Sequence, residues 1–508
     1  MRRLAGVSAA GQWQALVIAV VGYAFLLRLV YASQVELLPE EAYYWSYSRH
    51  LDFGYLDHPP LVAWLIRLGT SLFGDTEFGV RFGAVICGVT TSVFLFRVTR
   101  NLFDEPAALL SLLLSQVLPF FFMSGLLMTP DAPLTAAWAA SLYFLERALI
   151  AGRASGWLWV GLSLGVGLLA KYTIALLGIA TLLFMLLDPV SRRWFRRWEP
   201  YAAALVAVAV FSPVILWNSQ HEWASFAFQT SRRLADRPRF SLHKLIAGAM
   251  VLITPTGLIA VAAAIIQGPP PGLAAAGGLS MHRRWRLLSV CVLVPVAVFL
   301  CFSLRHEVKL DWTGAPWVAA VPLLAVGIAA RRLKGAWPPT LCAVLLIYGV
   351  GLYYLVLGVP GVGYSEHTEL VPVEWRDFAR QIDDVAADLN HRHAAQVLVV
   401  GMDRYAIASE LAFYGGGRSP ALAATCSAHL FGDMGLMYEQ WCPAAAQVGR
   451  TLLLVAWDAP ALADARLAGQ VASLDAIHQG TLLRNGHTVR HYYYRVAHGY
   501  RPIGPKGT

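Results

Sequence analysis

Eleven apolar runs of about 20 residues recur along the first 360 positions, and a run of that length reads as a membrane-crossing helix. They lie near 13–32, 78–98, 106–124, 130–149, 156–171, 172–188, 201–218, 243–266, 287–303, 313–330 and 337–358. The fifth and sixth are short and meet at Lys171. Charged residues make up only 14% of the chain, against about 25% in soluble domains, so the class is a mostly α, polytopic membrane protein. Arg2 and Arg3 precede the first run, which is too long for a signal-peptide core and reads as a retained first helix.

The formal net charge of +9 does not indicate nucleic acid, because the basic residues sit in short clusters between the apolar runs. With the N-terminus in the cytoplasm, alternation gathers these clusters on one side: Arg97 and Arg100; Arg147 and Arg153; Arg192, Arg193, Arg196 and Arg197; Arg283, Arg284 and Arg286; Arg331, Arg332 and Lys334. That is the pattern of the positive-inside rule. The Gln267–Ser280 stretch, rich in Gly, Pro and Ala, reads as a flexible cytoplasmic loop.

The opposite face receives a different set of residues: the first loop (33–77), a turn around Asp131, Lys171, the 219–242 loop with Arg232 and Arg233, the RHEVKLDW segment, and everything after about 360. The first loop exceeds a simple turn, so its parts near 40–50 and 59–73 are expected as short helices lying along the lipid interface. Charged groups at membrane depth are costly and line cavities or pair with one another, which marks this as the active face. The first 360 residues form the membrane domain, and residues 361–508 carry ordinary charge and no membrane-length run. In that region AQVLVVGM, RTLLLVAW and TVRHYYYRV read as strands and ASELAFYGG as a short helix, giving a small soluble α/β domain. Gly415, Gly416 and Gly417 are followed by no Lys-Ser/Thr, so they read as a turn and not a phosphate loop.

Cys87, Cys291, Cys301 and Cys342 fall in apolar runs and read as small buried hydrophobes. Cys426 and Cys442 lie in the polar region and can pair if it faces an oxidising compartment.

The densest chemistry is in LPEEAYYWSYSRHLDFGYLDHPP, positions 38–60. Glu40 and Glu41 are adjacent and diverge by about 100° on a helix, so one could act as a base while the other caps the helix or pairs with a cation. Asp131, in a Thr-Pro-Asp-Ala-Pro turn, suits a helix N-cap. Lys171 either snorkels or holds a phosphate as a point charge. Asp57 and His58 precede two prolines, and His306, Glu307, Lys309 and Asp311 cluster within one short segment. Tyr43, Tyr44 and Trp45 suit sugar faces and the headgroup zone. Without a Ser-His-Asp order, a phosphate loop or a dinucleotide fingerprint, the chemistry falls to carboxylates, cations and aromatic surfaces. A non-cytoplasmic site has no nucleotide supply, so an activated group must arrive on a lipid carrier. A carboxylate would deprotonate the acceptor hydroxyl and cations would stabilise the leaving phosphate. A transporter or flippase of lipid-linked sugars is the alternative; the repeats and mid-membrane charges usual in transporters are not apparent. A non-catalytic saccharide receptor is a third reading.

In order along the chain, PEEAYYW, YLDHPPLVAWLIRL, MTPDAPLTAAW, AKYT, VKLDW and ASELAFYGG resemble the bacterial family 39 and 83 glycosyltransferases, relatives of the protein O-mannosyltransferases and lipid A aminoarabinose transferases. The resemblance implies the GT-C membrane fold and a polyprenyl-phosphate sugar donor. It implies that Glu40 stands at the family's first acidic position, where Asp is usual, leaving open whether Glu40 or Glu41 presents the base. Asp131 matches the second acid. His58 matches the histidine of a His-Pro-Pro-Leu motif, and Lys171 and Lys309 match basic positions near the donor phosphate. Asp311 stands where Asn is more frequent. The resulting expectation is an inverting glycosyltransferase of a bacterial inner membrane, acting on the periplasmic face. Its catalytic residues are Glu40, Glu41 and Asp131, and its substrate-binding residues His58, Lys171, Lys309, Asp57, Tyr43, His306 and Glu307. The acceptor is a lipid, a glycan or a protein, and no cofactor is implied; a metal is not required if cations hold the phosphate.

Overall fold

The computed structural model of the chain describes residues 9–232, 238–330, 335–360, 363–364, 372–393, 396–416, 422 and 424–502. Arg2, Arg3, Arg233, Arg331, Arg332, Lys334 and Gly417 lie outside the described residues, as do the side chains of Arg232 and Asp311.

The helices of the membrane part and the first loop are α1 (Ala9–Gln34), α2 (Pro39–Arg49), α3 (Leu61–Phe73), α4 (Glu77–Leu102), α5 (Glu105–Val117), α6 (Pro119–Ser124), α7 (Asp131–Leu145), α8 (Gly156–Ala170), α9 (Ala175–Leu187), α10 (Glu199–Gln220), α11 (Leu242–Ile253), α12 (Pro255–Gln267), α13 (Pro271–Ser303), α14 (Trp317–Ala330) and α15 (Trp337–Leu357). Among the described residues, six helical stretches are long and apolar enough to cross a membrane: Gly11–Gln34, Glu77–Leu102, Glu199–Gln220, Pro255–Ala275, Gly277–Ser303 and Trp337–Leu357. The other apolar helices are shorter because the chain breaks them. Pro119 separates α5 from α6. Between α8 and α9 the chain leaves the helix at Lys171, which is extended (φ −159°, ψ 134°).

The run at 243–266, expected as one crossing, is two helices. Thr254 takes a positive φ of 68° ahead of Pro255, and its hydroxyl accepts the Gly257 N–H at 3.1 Å. A proline cannot continue the preceding helix but suits the first turn of a new one. The stretch Gln267–Ser280, expected as a flexible loop, is instead helical from Pro271 onward. Pro271 opens the helix, the alanines at 274 and 275 favour it, and the glycine pair produces only a kink at Gly278 (φ 52°).

Contacts divide the chain into two compact units. The first comprises 1–32, 58–62 and 81–348. Its helices approach closely where small residues meet: a Cβ on Gly161 of α8 would stand 2.3 Å from the Ala203 carbonyl oxygen of α10. This is the close packing that small residues permit between membrane helices. Cys87 and Cys291 are buried as expected, whereas Cys301 and Cys342 are exposed on the helix surface. An apolar run in a membrane helix faces lipid as readily as protein, so apolarity alone does not imply burial.

The second unit comprises 33–57, 63–80 and 349–508. The first loop thus packs with the C-terminal region, around α16 (Trp375–His393), α17 (Ala406–Gly415) and a six-stranded sheet. The strands are β1 (Leu398–Gly401), β2 (Cys426–Ser427), β3 (Leu452–Ala456), β4 (Ser473–Leu474), β5 (His478–Arg484) and β6 (His487–His498). Their order is β2-β1-β3-β6-β4, with β5 also pairing β6. β1 runs parallel to β2 and β3, with Leu398 opposite Leu452 and Val400 opposite Leu454. β6 runs antiparallel to β3, β4 and β5. The apolar runs are buried on both faces, as parallel strands require. Val399, Leu453 and Val455 join Phe378 and Ile382 of α16 in one core, while Leu398, Val400, Leu452 and Leu454 join Leu462 and Tyr500 in the other. Cys426 and Cys442 form a disulfide with Cα atoms 5.9 Å apart.

Candidate active site

Helix α2 separates the two adjacent carboxylates. Pro39 supplies the first helical position, and Leu38 before it is extended. Glu41, at the third helical position, turns back so that its Oε2 accepts the Leu38 N–H at 3.1 Å. Glu41 is fully buried. Its carboxylate satisfies one of the donors a helix start leaves open and sits at the favourable end of the helix dipole. Glu40 points elsewhere. It is half-buried, and no described residue is within hydrogen-bond or ion-pair reach of its carboxylate.

One turn along from Glu40 stands Tyr43, the centre of a buried aromatic group. Its ring lies 4.6 Å from Tyr405, 5.0 Å from Tyr47 and 6.0 Å from Trp441, centroid to centroid. The Tyr43 hydroxyl donates to Asp57 Oδ1 at 3.2 Å and accepts the Met437 N–H at 3.2 Å. Tyr47 donates to the same Asp57 oxygen. Burial raises the Asp57 carboxyl above the usual carboxylate range, and the two phenols counteract this in part. Burial, reinforced by the Asp57 carboxylate, in turn pushes both phenols well above their ordinary value. Asp57 is therefore set inside a tyrosine cage, and His50 stacks on Trp441 at 4.7 Å beside it. α2 also packs on α17, with Trp45 edge-on to Phe413 at 5.2 Å.

In the first unit the dominant feature is an ion pair. Lys171 Nζ lies 2.9 and 3.0 Å from the two oxygens of Asp131, with both side chains nearly buried. Asp131, expected as an N-cap, is instead the first residue of α7, and Pro130 occupies the cap position. The carboxylate is thereby directed at the lysine that the break between α8 and α9 presents. His58 is half-buried in the same unit.

The RHEVKLDW segment is held by Ser241, whose hydroxyl donates to the His306 carbonyl at 2.7 Å and accepts the Val308 N–H at 3.2 Å. Among its described side chains, His306, Glu307 and Lys309 do not pair with one another. Glu307 pairs with Lys244 and with Arg239, the latter at 3.0 Å, and hydrogen bonding to Lys244 holds its carboxyl below the usual range. His306 packs on Phe302 at 4.7 Å, and Lys309 is exposed.

Tyr405, Tyr438 and Trp441 around α2, and the partners Arg239 and Lys244 of Glu307, carry no local sequence signal. Each becomes visible only when distant segments meet.

Residues 57–217 match the family model described as dolichyl-phosphate-mannose-protein mannosyltransferase. The lipopolysaccharide core galacturonosyltransferase RgtA of Rhizobium johnstonii is 26% identical over 411 residues, covering 75% of this chain and 76% of that protein. An undecaprenyl phosphate-alpha-4-amino-4-deoxy-L-arabinose arabinosyl transferase of Edwardsiella ictaluri is 31% identical over 188 residues, and the match spans 33% of its length. Among solved structures, ArnT from Cupriavidus metallidurans in the apo state superposes over 96% of this chain and 98% of its own, with a TM-score of 0.64 at 16% identity. The same protein bound to undecaprenyl phosphate gives 0.62, covering 95% of this chain and 98% of its own at 16% identity.

Proposed function

We propose, from the premise that this chain is a membrane glycosyltransferase of the GT-C fold, that it moves a sugar from a polyprenyl-phosphate donor to a hydroxyl of an envelope acceptor with inversion at the anomeric carbon. The lipid A and lipopolysaccharide sugar transferases among its relatives favour a glycolipid acceptor over a protein. They give no support to a flippase.

The observation that carries the assignment of roles is the division of labour on α2. Glu41 is consumed by the helix start, whereas Glu40 is left with an uncommitted carboxylate. In this reading Glu40 accepts the acceptor hydroxyl proton while the oxygen attacks the anomeric carbon. The bond from that carbon to the phosphate oxygen breaks, and polyprenyl phosphate leaves with the electron pair. Lys171, Lys309 and His58 bind that phosphate, and Asp131 orients Lys171. Charge that develops only in the transition state is where preorganised cations contribute most.

The catalytic face and the domain after residue 360 are assigned to the periplasmic side of a bacterial inner membrane. Two observations support this. With the eleven apolar runs alternating, the basic clusters at 97–100, 147–153, 192–197, 283–286 and 331–334 fall on the other side, and the Cys426–Cys442 disulfide belongs to an oxidising compartment.

Purified protein in detergent, given a panel of synthetic polyprenyl-phosphate sugars and an envelope extract as acceptor, tests the reading. Wild type should release polyprenyl phosphate, and Glu40→Gln should bind the donor without releasing it. A wild-type protein that binds donors yet never releases polyprenyl phosphate overturns it.

A further inference from the structure

Several arginines of the second unit are matched to carboxylates, among them Arg376 to Glu77, Arg380 to Asp377, Arg392 to Asp388, Arg466 to Asp433 and Arg484 to Glu374, while Arg450 and Arg495 bond to carbonyl oxygens and Arg490 lies over Trp457. Arg404 is not matched to a carboxylate. It is exposed, no described carboxylate is within ion-pair distance, and its hydrogen bond goes to the Met434 sulfur at 2.6 Å.

Its place in the sheet is notable for a second reason. Arg404 lies in the loop that leaves the carboxyl end of β1, a strand flanked by β2 on one side and β3 on the other. Connections from β1 and β3 therefore depart in opposite directions, and open α/β sheets take ligands at such a point. The loop is hydrogen-bonded just ahead of the arginine. Asp403 accepts the Ile407 N–H at 3.1 Å, capping α17, and its carbonyl accepts the Ala428 N–H at 3.1 Å. Tyr405 lies against Tyr43, one helical turn from Glu40. After burial, the charge of Glu40 is the strongest influence on the Tyr405 hydroxyl, and Arg404 also acts on it. Arg404, whose charge also acts on the buried Asp57 carboxyl, thus adjoins in sequence the tyrosine that packs on the helix bearing Glu40.

We propose that Arg404 is a specificity-determining residue beside Glu40 that binds an anionic group, a phosphate or a carboxylate, carried by one of the two substrates. A guanidinium presents a planar fork of donors that matches either anion with two parallel hydrogen bonds. The anion comes either from the acceptor, as a phosphate on a glycolipid, or from the donor sugar, as the carboxylate of a uronic acid. This gives the C-terminal region a part in substrate selection, and it rests on the glycosyltransferase reading above.

The test is steady-state kinetics on the full chain in detergent, comparing wild type, Arg404→Gln and Arg404→Lys. Donors would be polyprenyl-phosphate hexose and the matching uronic acid; acceptors would be one glycolipid with and without its phosphate. Loss of a charge-assisted pair should raise KM roughly ten- to hundredfold for the anionic member alone, with kcat changed less than about twofold and partial recovery in Arg404→Lys. A rise confined to the uronic acid donor identifies the sugar carboxylate as the ligand. One confined to the phosphorylated acceptor identifies the phosphate. An equal change for all four combinations, or no change in any, overturns the proposal. Equilibrium binding of the same four molecules is read alongside. If wild type turns over no donor, the glycosyltransferase reading fails and binding alone decides: weaker binding of an anionic member by Arg404→Gln supports the site, and equal binding removes it.

Discussion

Lys171 and Asp131 form a nearly buried ion pair that joins the break between α8 and α9 to the first turn of α7, 40 residues apart in sequence. Desolvating two charges is costly, so such a pair is weak evidence for stability by itself. Removing one member is a different matter, because the other keeps its nearly buried charge without this counter-ion.

Asp131→Asn and Lys171→Met should each lower turnover and each destabilise the protein, by about 3–5 kcal/mol for a fully broken buried pair. The double variant should be no worse than the more severe single one. Activity and thermal unfolding in detergent, arranged as a double-mutant cycle, measure this. Additive losses would show that the two side chains act separately. A control is available in the exposed Arg466–Asp433 pair, whose removal should leave stability nearly unchanged.

Glu40 and Glu41 should separate cleanly. Glu40→Gln should reduce kcat by about 10²–10⁴, the usual contribution of a general base, with an unchanged melting temperature. Glu41→Ala should lower stability by roughly 1 kcal/mol or more, through loss of the bond to the Leu38 N–H, and should affect turnover less. The opposite assignment, with Glu41→Ala folding normally and inactive, would transfer the role of base to Glu41.

Glu36 gives the protein a defined pH response. Its oxygens accept the Trp375 and Arg376 N–H groups at 2.8 and 3.2 Å, at the start of α16. Burial nevertheless dominates and raises its carboxyl to about 7 from the ordinary 4.5. A carboxyl that binds its proton more tightly when folded contributes stability below its unfolded pKa and loses it as pH rises through the folded one. Stability should therefore fall between about pH 4.5 and 7, by an amount on the order of 3 kcal/mol for this group. Asp403, raised to about 6 by burial, acts in the same direction. Thermal midpoints measured across that window should decline for wild type and decline less for Glu36→Gln; identical slopes would assign the response to other groups.

The helical class, the strands at 398–401 and 452–456, the short helices flanking the HPP turn and the helix over ASELAFYGG were all legible in the sequence, because each depends on local period and composition. The break at Thr254 was not, since an apolar run hides a residue with positive φ. The helix from Pro271 was obscured by its glycines. For the site, spacing indicated that Glu40 and Glu41 must diverge, but only the Leu38 contact shows which one the helix uses. The tyrosine cage around Asp57 depends on Met437, and the partners of Glu307 lie more than 60 residues away. No local pattern carries such pairings.

The seating of α2 also sets an order in time. Tyr43 and the Met437 N–H that it meets are separated by 394 residues. At 5–20 residues per second, roughly 20–80 s of synthesis separate them. Throughout that interval the helix carrying Glu40 exists without Met437, Tyr438 and Trp441, the aromatic and backbone partners that fix Tyr43. The helix of the proposed base is thus among the first segments made, while the partners that complete the seat of Tyr43 are among the last.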